Sequence, residues 1–194
     1  MLKDKFKNHK IILASGSPRR QQFFRDFDID FEIRLKDIEE IYPDTLQGVE
    51  ITNYLAQLKA AAFEGEIGEN EILVTSDTIV WHNNKALGKP KDYDDAFAIL
   101  KSLSDATHEV ITSVCFKTRH KTETIFEVTK VTFNSLSDEA VHYYLDNYKP
   151  FDKAGAYGIQ EWIGLTGITR IDGSYTNVVG LPTEKVYQYL NNYS

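Results

Sequence analysis

The most constraining feature of the chain is an apolar run, Ile11–Ala14, that stops at the small polar segment Ser15–Pro18. Such a run is typical of a buried strand, and the residues after it are typical of a helix start. Ser17 suits the N-cap position, and Pro18 suits the first helical position because its missing N–H would have no partner there. We therefore predict that a strand turns directly into a helix at this junction.

Two arginines, Arg19 and Arg20, fall in the first turn of this helix. Exposed backbone N–H groups make that end of a helix positive, so added cations are unfavourable unless an anion lies between them. A phosphate chain fits such a site, because helix N-termini and guanidinium groups both bind phosphate oxygens. The pattern alone leaves a second interpretation open, in which an ordinary helix start is followed by two surface arginines.

Strand-like and helix-like segments alternate through the first half of the chain, and a long antiparallel pair follows. Phe31, Ile33 and Leu35 share one side of a predicted half-buried strand, and Glu32 lies on its polar side. This order favours a mixed β-sheet flanked by helices. The predicted strands are 10–14, 31–35, 72–81, 108–118 and 121–133; the predicted helices are 18–27, 50–63, 93–103, 137–149 and 183–192; a hairpin turn is expected at 83–84 and glycine-rich turns at 155–158, 164–167 and 173.

The bulk properties are those of a globular chain. Its 194 residues suit a single domain over residues 1–194, or two closely fused lobes. The net charge of −7 argues against a nucleic-acid polymer as partner, but a small nucleotide needs only a local basic pocket. The N-terminus does not resemble a signal peptide and no apolar stretch approaches membrane-spanning length, so we expect a cytoplasmic protein without a membrane partner. The single cysteine, Cys115, is expected in the core, and the five histidines lack zinc-site spacing.

Aspartate is unusual inside an apolar strand, yet Asp77 interrupts the run Ile72–Trp81. Because burying a lone carboxylate is costly, two interpretations arise. Asp77 is either a strand-end residue bonded to nearby backbone, or a carboxylate held at the sheet edge for a metal ion or for activating water. Lys59, Lys89 and Gln160 are weaker candidates, since each also has an ordinary structural explanation.

Five short segments follow one another in a fixed order and carry all of these candidates except Lys59. The segments are Leu13–Arg20 (LASGSPRR), Ser76–Val80 (SDTIV), Gly88–Pro90 (GKP), Asp152–Gln160 (DKAGAYGIQ) and Asn177–Pro182 (NVVGLP). In this combination the chain resembles the Maf family of nucleoside triphosphate pyrophosphatases over residues 10–190.

The resemblance implies an inosine-triphosphatase-like fold, an elongated mixed β-sheet flanked by helices with two lobes around a nucleotide cleft. It implies hydrolysis of a nucleoside triphosphate to the monophosphate and pyrophosphate, with Mg²⁺ or Mn²⁺ as cofactor. Asp77 is implied as the proton acceptor and, with Glu32, as a metal ligand. The substrate-binding and specificity residues expected from the motifs and the helix start are Ser15, Ser17, Arg19, Arg20, Lys59, Thr78, Lys89 and Gln160.

Three positions favour one branch of the family. Arg19, Thr78 and Gln160 match the branch that prefers dTTP and UTP over 7-methyl-GTP. Two residues depart from the usual pattern. Ser76 replaces an alanine and could add a hydrogen bond, whereas Glu161 replaces a glycine and could alter the shape of the cleft.

Two other function classes stay open. A nucleotide phosphatase or a kinase-like phosphoryl transferase would also bind a triphosphate, although the chain has no Walker-type GxxxxGK[ST] loop. A non-enzymatic nucleotide-binding regulator of cell division, in line with the family's association with septum formation, would keep Arg19 and Lys89 but would not need Asp77. The resemblance is also compatible with a homodimer.

Overall fold

The computed structural model describes residues 1–193, in which seven strands form one mixed sheet. The strands are β1 (Lys10–Leu13), β2 (Phe31–Ile33), β3 (Glu71–His82), β4 (Lys85–Leu87), β5 (Thr107–Lys117), β6 (Thr122–Phe133) and β7 (Ile168–Asp172). They run in the spatial order β2-β1-β3-β5-β6-β7, with β4 beside one end of β3. The expected mixed sheet is confirmed.

Helices lie on both faces of the sheet. They are α1 (Leu2–Lys5), α2 (Pro18–Asp26), α3 (Val49–Ala61), α4 (Tyr93–Leu103), α5 (Asp138–Tyr148), α6 (Trp162–Gly167), α7 (Tyr175–Val179) and α8 (Thr183–Asn192), with a 3₁₀ turn at Ala154–Ala156. The predicted cap at Ser17 forms, because its Oγ accepts the Arg20 N–H at 3.5 Å, and Asp92 caps α4 in the same way by accepting the Asp95 N–H at 2.8 Å. Side-chain oxygens at these positions satisfy backbone donors that the helix leaves unpaired.

Strands β1, β2 and β3 are parallel to one another. The carboxyl ends of parallel strands meet at the same edge of a sheet. The turn that follows β1 at Ser15 and the irregular segment that follows β2 at Arg34 therefore leave the sheet side by side. This juxtaposition brings two loops, distant in sequence, to the middle of β3.

The central strand, β3, is incompletely paired along one side. On that side β1 pairs with residues 71–74 and β4 pairs with residues 80–82, whereas β5 pairs along the other side from Leu73 to Trp81. Within residues 1–193, the stretch 75–79 thus has no strand neighbour on the first side. We call this opening the sheet gap.

Polar residues occupy both faces of β3 beside the sheet gap. On one face, Ile72 packs with α1, α2 and α8, and Val80 packs with α4 and α5, while Ser76 and Thr78 lie between them. On the face covered by α3, Asp77 and its neighbours likewise separate two apolar clusters. The polar belt divides the core into two apolar halves, which is the two-part arrangement expected around a cleft.

Two local predictions are wrong. Strand β2 ends at Ile33, which is 44% exposed, and Leu35 is 59% exposed, because β2 is a short edge strand whose chain then turns away from the core. The glycine-rich region 164–167 lies within α6, and β7 follows it directly. The Asn83–Asn84 hairpin turn and the buried position of Cys115 are confirmed.

The helices that cover the sheet are short and carry both polar and apolar residues. Across residues 1–193, no helix combines the length and apolar character needed to cross a membrane.

Candidate active site

A cavity of about 710 Å³ opens at the sheet gap. Its volume lies in the range of small-molecule binding sites. The cavity brings together nine of the ten residues singled out from the sequence. They are Ser15, Ser17, Arg19, Arg20, Lys59, Asp77, Thr78, Lys89 and Gln160.

Lys59 joins two carboxylates at the centre of this cavity. Its Nζ atom lies 2.7 Å from Asp77 Oδ1 and 2.8 Å from Glu40 Oε1. Helix α3 carries the lysine, β3 carries the aspartate, and the segment after β2 carries Glu40. The side chains of Lys59 and Asp77 are only 16% and 9% exposed, so this ion pair is largely shielded from water.

The two carboxylates respond differently to this environment. Burial raises the pKa of Asp77 above its ordinary value, although Lys59 and Arg20 oppose the effect. Burial also acts on Glu40, but the hydrogen bond and charge of Lys59 outweigh it and hold the pKa of Glu40 below its ordinary value. The difference follows from position, because Glu40 is about half exposed whereas Asp77 lies in the sheet.

Arg20 ties the turn after β1 to β3. Its guanidinium donates to the carbonyl of Gly180 at 2.8 Å, to the carbonyl of Ser76 at 3.2 Å and to Thr78 Oγ1 at 2.9 Å. The Ser76 carbonyl faces the sheet gap, where it also lies 3.5 Å from Lys59 Nζ. A planar guanidinium suits this role because its donors diverge in fixed directions.

Three other predicted residues line the cavity, namely Arg19, Lys89 and Gln160. Arg19 lies 4.0 Å from Asp152 and keeps a third of its side chain exposed, and Lys89 and Gln160 are exposed at the cavity wall. Two arginines and four lysines thus line the cavity together with four acidic residues, of which Asp77 and Glu40 lie at its centre. Such a cavity can hold a polyanion while it retains a carboxylate able to accept a proton.

The turn residues contribute mainly to the local structure. Ser15 Oγ accepts the backbone N–H of Ser17 at 3.3 Å, and the Ser17 hydroxyl caps α2. The expected extra hydrogen bond from Ser76 does not form: its Oγ is buried and has no partner among the described residues.

A family model described as Maf-like protein matches residues 10–193. The chain belongs to this Maf-like family. A relative from Flavobacterium psychrophilum, named dTTP/UTP pyrophosphatase, is 73% identical over 100% of both chains. A relative of the same name from Christiangramia forsetii is 52% identical over 98% of this chain and 97% of its own.

Structural comparison extends the Maf-like fold to a more distant protein. A HAM1 protein from Coxiella burnetii superposes with a TM-score of 0.51 at 15% identity, covering 95% of this chain and 100% of that one. At this identity the likeness shows a shared fold and nothing about activity. It agrees with the fold expected from the motifs.

The Maf-like cavity does not include Glu32. Its carboxylate forms ion pairs with Lys10 and with Arg34, the latter at 3.2 Å, on the edge strand β2. Glu40, and not Glu32, is the carboxylate that lies beside Asp77 on the Lys59 ammonium. The sequence offered one signal for Glu40. It lies in the acidic segment after β2, and the loops at the carboxyl ends of the parallel strands β1 and β2 lie side by side.

The donor set fits a hard divalent cation shared with a substrate. Within residues 1–193, no group of three or more His, Cys, Asp or Glu side chains is arranged to hold a metal. Asp77 and Glu40 nevertheless converge on the same ammonium group. Mg²⁺ is commonly held by one or two carboxylates plus phosphate oxygens and water, so this pair suffices when a triphosphate completes the site.

Proposed function

We propose that this protein hydrolyses dTTP and UTP to the nucleoside monophosphate and pyrophosphate. Full-length relatives carrying that activity in their names support the proposal, since the identity reaches 73%. The observation that carries it in the structure is the Lys59–Asp77 ion pair, which places a shielded carboxylate among the cations of a nucleotide-sized cavity.

Asp77 is proposed as the proton acceptor. Burial raises its pKa and makes it a stronger base than an ordinary aspartate, while the Lys59 ammonium at 2.7 Å opposes that rise and favours the charged carboxylate. These two effects together suit a group that must stay charged before the reaction and accept a proton during it.

The proposed reaction is attack of water on the α-phosphorus. The oxygen of water forms a bond to phosphorus, its proton passes to Asp77, and the bond to the bridging oxygen of the β-phosphate breaks. Pyrophosphate leaves with the electron pair of that bond. Arg19 and Lys89 neutralise the triphosphate, and phosphoryl transfer depends mainly on such positioning and charge stabilisation.

Asp77 and Glu40 are proposed to hold Mg²⁺ or Mn²⁺. When bound, the cation supplies charge stabilisation at the phosphate oxygens. Lys59 then serves to position both carboxylates, since it contacts each of them.

Base selection is proposed to rest on Gln160. A glutamine amide can donate and accept one hydrogen bond each, which matches the paired groups on a thymine or uracil edge. Thr78 acts indirectly, because its hydroxyl accepts from Arg20 and bonds to Thr112 at 2.9 Å. Cytoplasmic location, a homodimer and the absence of a nucleic-acid partner stay predictions of the same proposal.

Product analysis tests the proposal. The protein is incubated with a panel of nucleoside triphosphates, each with Mg²⁺, with Mn²⁺ and with chelator, and the products are separated by anion exchange. We expect metal-dependent formation of dTMP from dTTP and UMP from UTP, each with pyrophosphate. Diphosphate with orthophosphate would identify a phosphatase, and tight binding without turnover would identify a nucleotide-binding regulator.

A further inference from the structure

The turn that carries Gln160 is closed by its own backbone. The Glu161 N–H donates to the Gly158 carbonyl at 3.0 Å, so Gln160 occupies the third position of a four-residue turn. Its side chain is exposed at the cavity wall, whereas Ile159 is buried beneath it. The orientation of Gln160 therefore depends on what holds this turn against the core.

Tyr144 holds the turn from below. This tyrosine is fully buried on α5, and its hydroxyl accepts the backbone N–H of Gly158 at 2.9 Å. The same hydroxyl donates to the carboxylate of Glu161, at the other end of the turn. One phenol thus joins both ends, and burial together with the Glu161 hydrogen bond raises its pKa far above the ordinary value, so it remains a donor.

A second contact, with Lys153, also fixes the side chain of Glu161. Lys153 Nζ lies 3.2 Å from its carboxylate and 2.8 Å from Asp152. The Lys153 side chain is 12% exposed, so the pair is largely shielded and more persistent than a surface ion pair.

Small residues make this arrangement sterically possible. A Cβ atom at Gly158 would lie 2.7 Å from Cδ of Glu161, and one at Gly164 would lie 1.9 Å from the Ile159 carbonyl oxygen. The glutamate side chain therefore lies across the turn, and α6 packs directly against it. The family resemblance singled out Glu161 because a glycine is usual at that position, and this contact gives the larger residue a function.

We propose that Glu161 is a positioning residue, which acts through Tyr144 and Lys153 to fix the Gly158–Glu161 turn and hold Gln160 ready for a pyrimidine base. The inference rests on the proposed function for its substrate. It assigns Glu161 to nucleotide selection and not to the bond-breaking step, because its carboxylate contacts Tyr144 and Lys153 and the residue does not line the cavity around Asp77.

The first test measures kinetics with UTP and CTP in Glu161→Ala, Glu161→Gln and Tyr144→Phe. We expect Glu161→Ala to raise KM for UTP roughly tenfold, as expected when one oriented hydrogen-bonded contact is lost, with kcat within about threefold of wild type. The preference for UTP over CTP should fall by a similar factor. Glu161→Gln keeps an acceptor for Tyr144 and should recover most of the preference.

Two further comparisons separate positioning from a general structural effect. Because Glu161 and Tyr144 act on one turn, the double variant should lose little more selectivity than either single variant. Glu139→Gln, an exposed change on the same helix as Tyr144, is the matched control and should leave KM unchanged. Folded Glu161 variants with unaltered KM and preference would overturn the proposal, as would a loss confined to kcat.

The second test needs no nucleotide. Hydrogen exchange of the peptide containing Gly158 should become faster in Tyr144→Phe and in Glu161→Ala, because the Gly158 N–H loses its partner or its partner becomes mobile. Unchanged exchange in both variants would overturn the positioning role. If wild-type protein fails to hydrolyse dTTP and UTP while exchange changes as expected, the proposed function fails and the turn assignment stands by itself.

Discussion

The Nζ atom of Lys59 lies 2.7 Å from Oδ1 of Asp77, beside the sheet gap and out of contact with most solvent. The pair reconciles two opposing demands on Asp77. Burial raises the pKa of the carboxylate and makes it more basic, and the adjacent ammonium opposes that rise by favouring the charged form. The proposed chemistry depends on this balance.

Replacing Asp77 by Asn removes the proton acceptor with little change in volume. We expect kcat for UTP to fall about 10³-fold, within the range that a general base contributes. The amide can still accept a hydrogen bond from Lys59, so the far-ultraviolet circular dichroism and UTP binding should be retained. Measurement of UMP formation at saturating UTP checks the prediction, and near-normal turnover would show that Asp77 is not the base.

The carboxylate beside Asp77 can be identified by two matched substitutions. Glu40→Gln removes a charge that contacts Lys59, whereas Glu32→Gln removes one that lies outside the cavity. We expect Glu40→Gln to lower kcat/KM about 10- to 100-fold and to raise the Mg²⁺ concentration needed for half-maximal rate. Glu32→Gln and the neighbouring exposed change Glu39→Gln should stay within about twofold of wild type. A larger loss of kcat/KM in Glu32→Gln than in Glu40→Gln would show instead that Glu32 acts in the metal region.

These two glutamates also show how far the sequence could lead. The junction at Ser17–Pro18 predicted β1, α2 and the cap between them, because strand and helix signals there are local. The sequence could not show in the same way which of Glu32 and Glu40 lies beside Asp77. Their difference depends on where the short edge strand β2 ends and on which loops the parallel strands bring together, and both are properties of the assembled sheet.

Hydrogen bonds between side chains are a second feature that the sequence could not predict. Arg20 was expected to bind an anion, and its pattern in sequence cannot reveal that three of its donors reach Gly180, Ser76 and Thr78. Tyr144 falls in the predicted helix 137–149, and that pattern says nothing about the partners of its hydroxyl. Its hydroxyl became informative once the structure placed Gly158 and Glu161 on either side of it.

Arg20→Lys tests how much the hydrogen bonds of Arg20, between the two apolar halves of the core, contribute to stability. A lysine presents its donors at one point and cannot reach the three acceptors that the guanidinium spans. We expect the free energy of unfolding to fall by about 2 kcal/mol, because buried acceptors lose their partners. Thermal unfolding should shift down by about 4–8 °C. Arg25→Lys, on the exposed side of the same helix, should change stability by less than about 0.5 kcal/mol.

The buried side chain of His108 should make the stability of the folded protein sensitive to acid, independently of catalysis. Burial, with a smaller contribution from His82, lowers the pKa of His108 from 6.5 to about 3. Its Nε2 atom pairs with the hydroxyl of Tyr157 at 2.8 Å, within a buried cluster. The ring therefore stays neutral in the folded protein at pH values where the unfolded chain takes up a proton.

Acidification below pH 6.5 therefore stabilises the unfolded state relative to the folded one, by up to about 1.4 kcal/mol per pH unit. Between pH 6.5 and pH 5 we expect wild type to lose about 2 kcal/mol more stability than His108→Gln, which cannot titrate. Urea unfolding of both proteins at several pH values measures the difference, in which the carboxylate contributions common to both proteins cancel. Parallel stability curves would show that His108 is protonated in the folded state or is exposed to water.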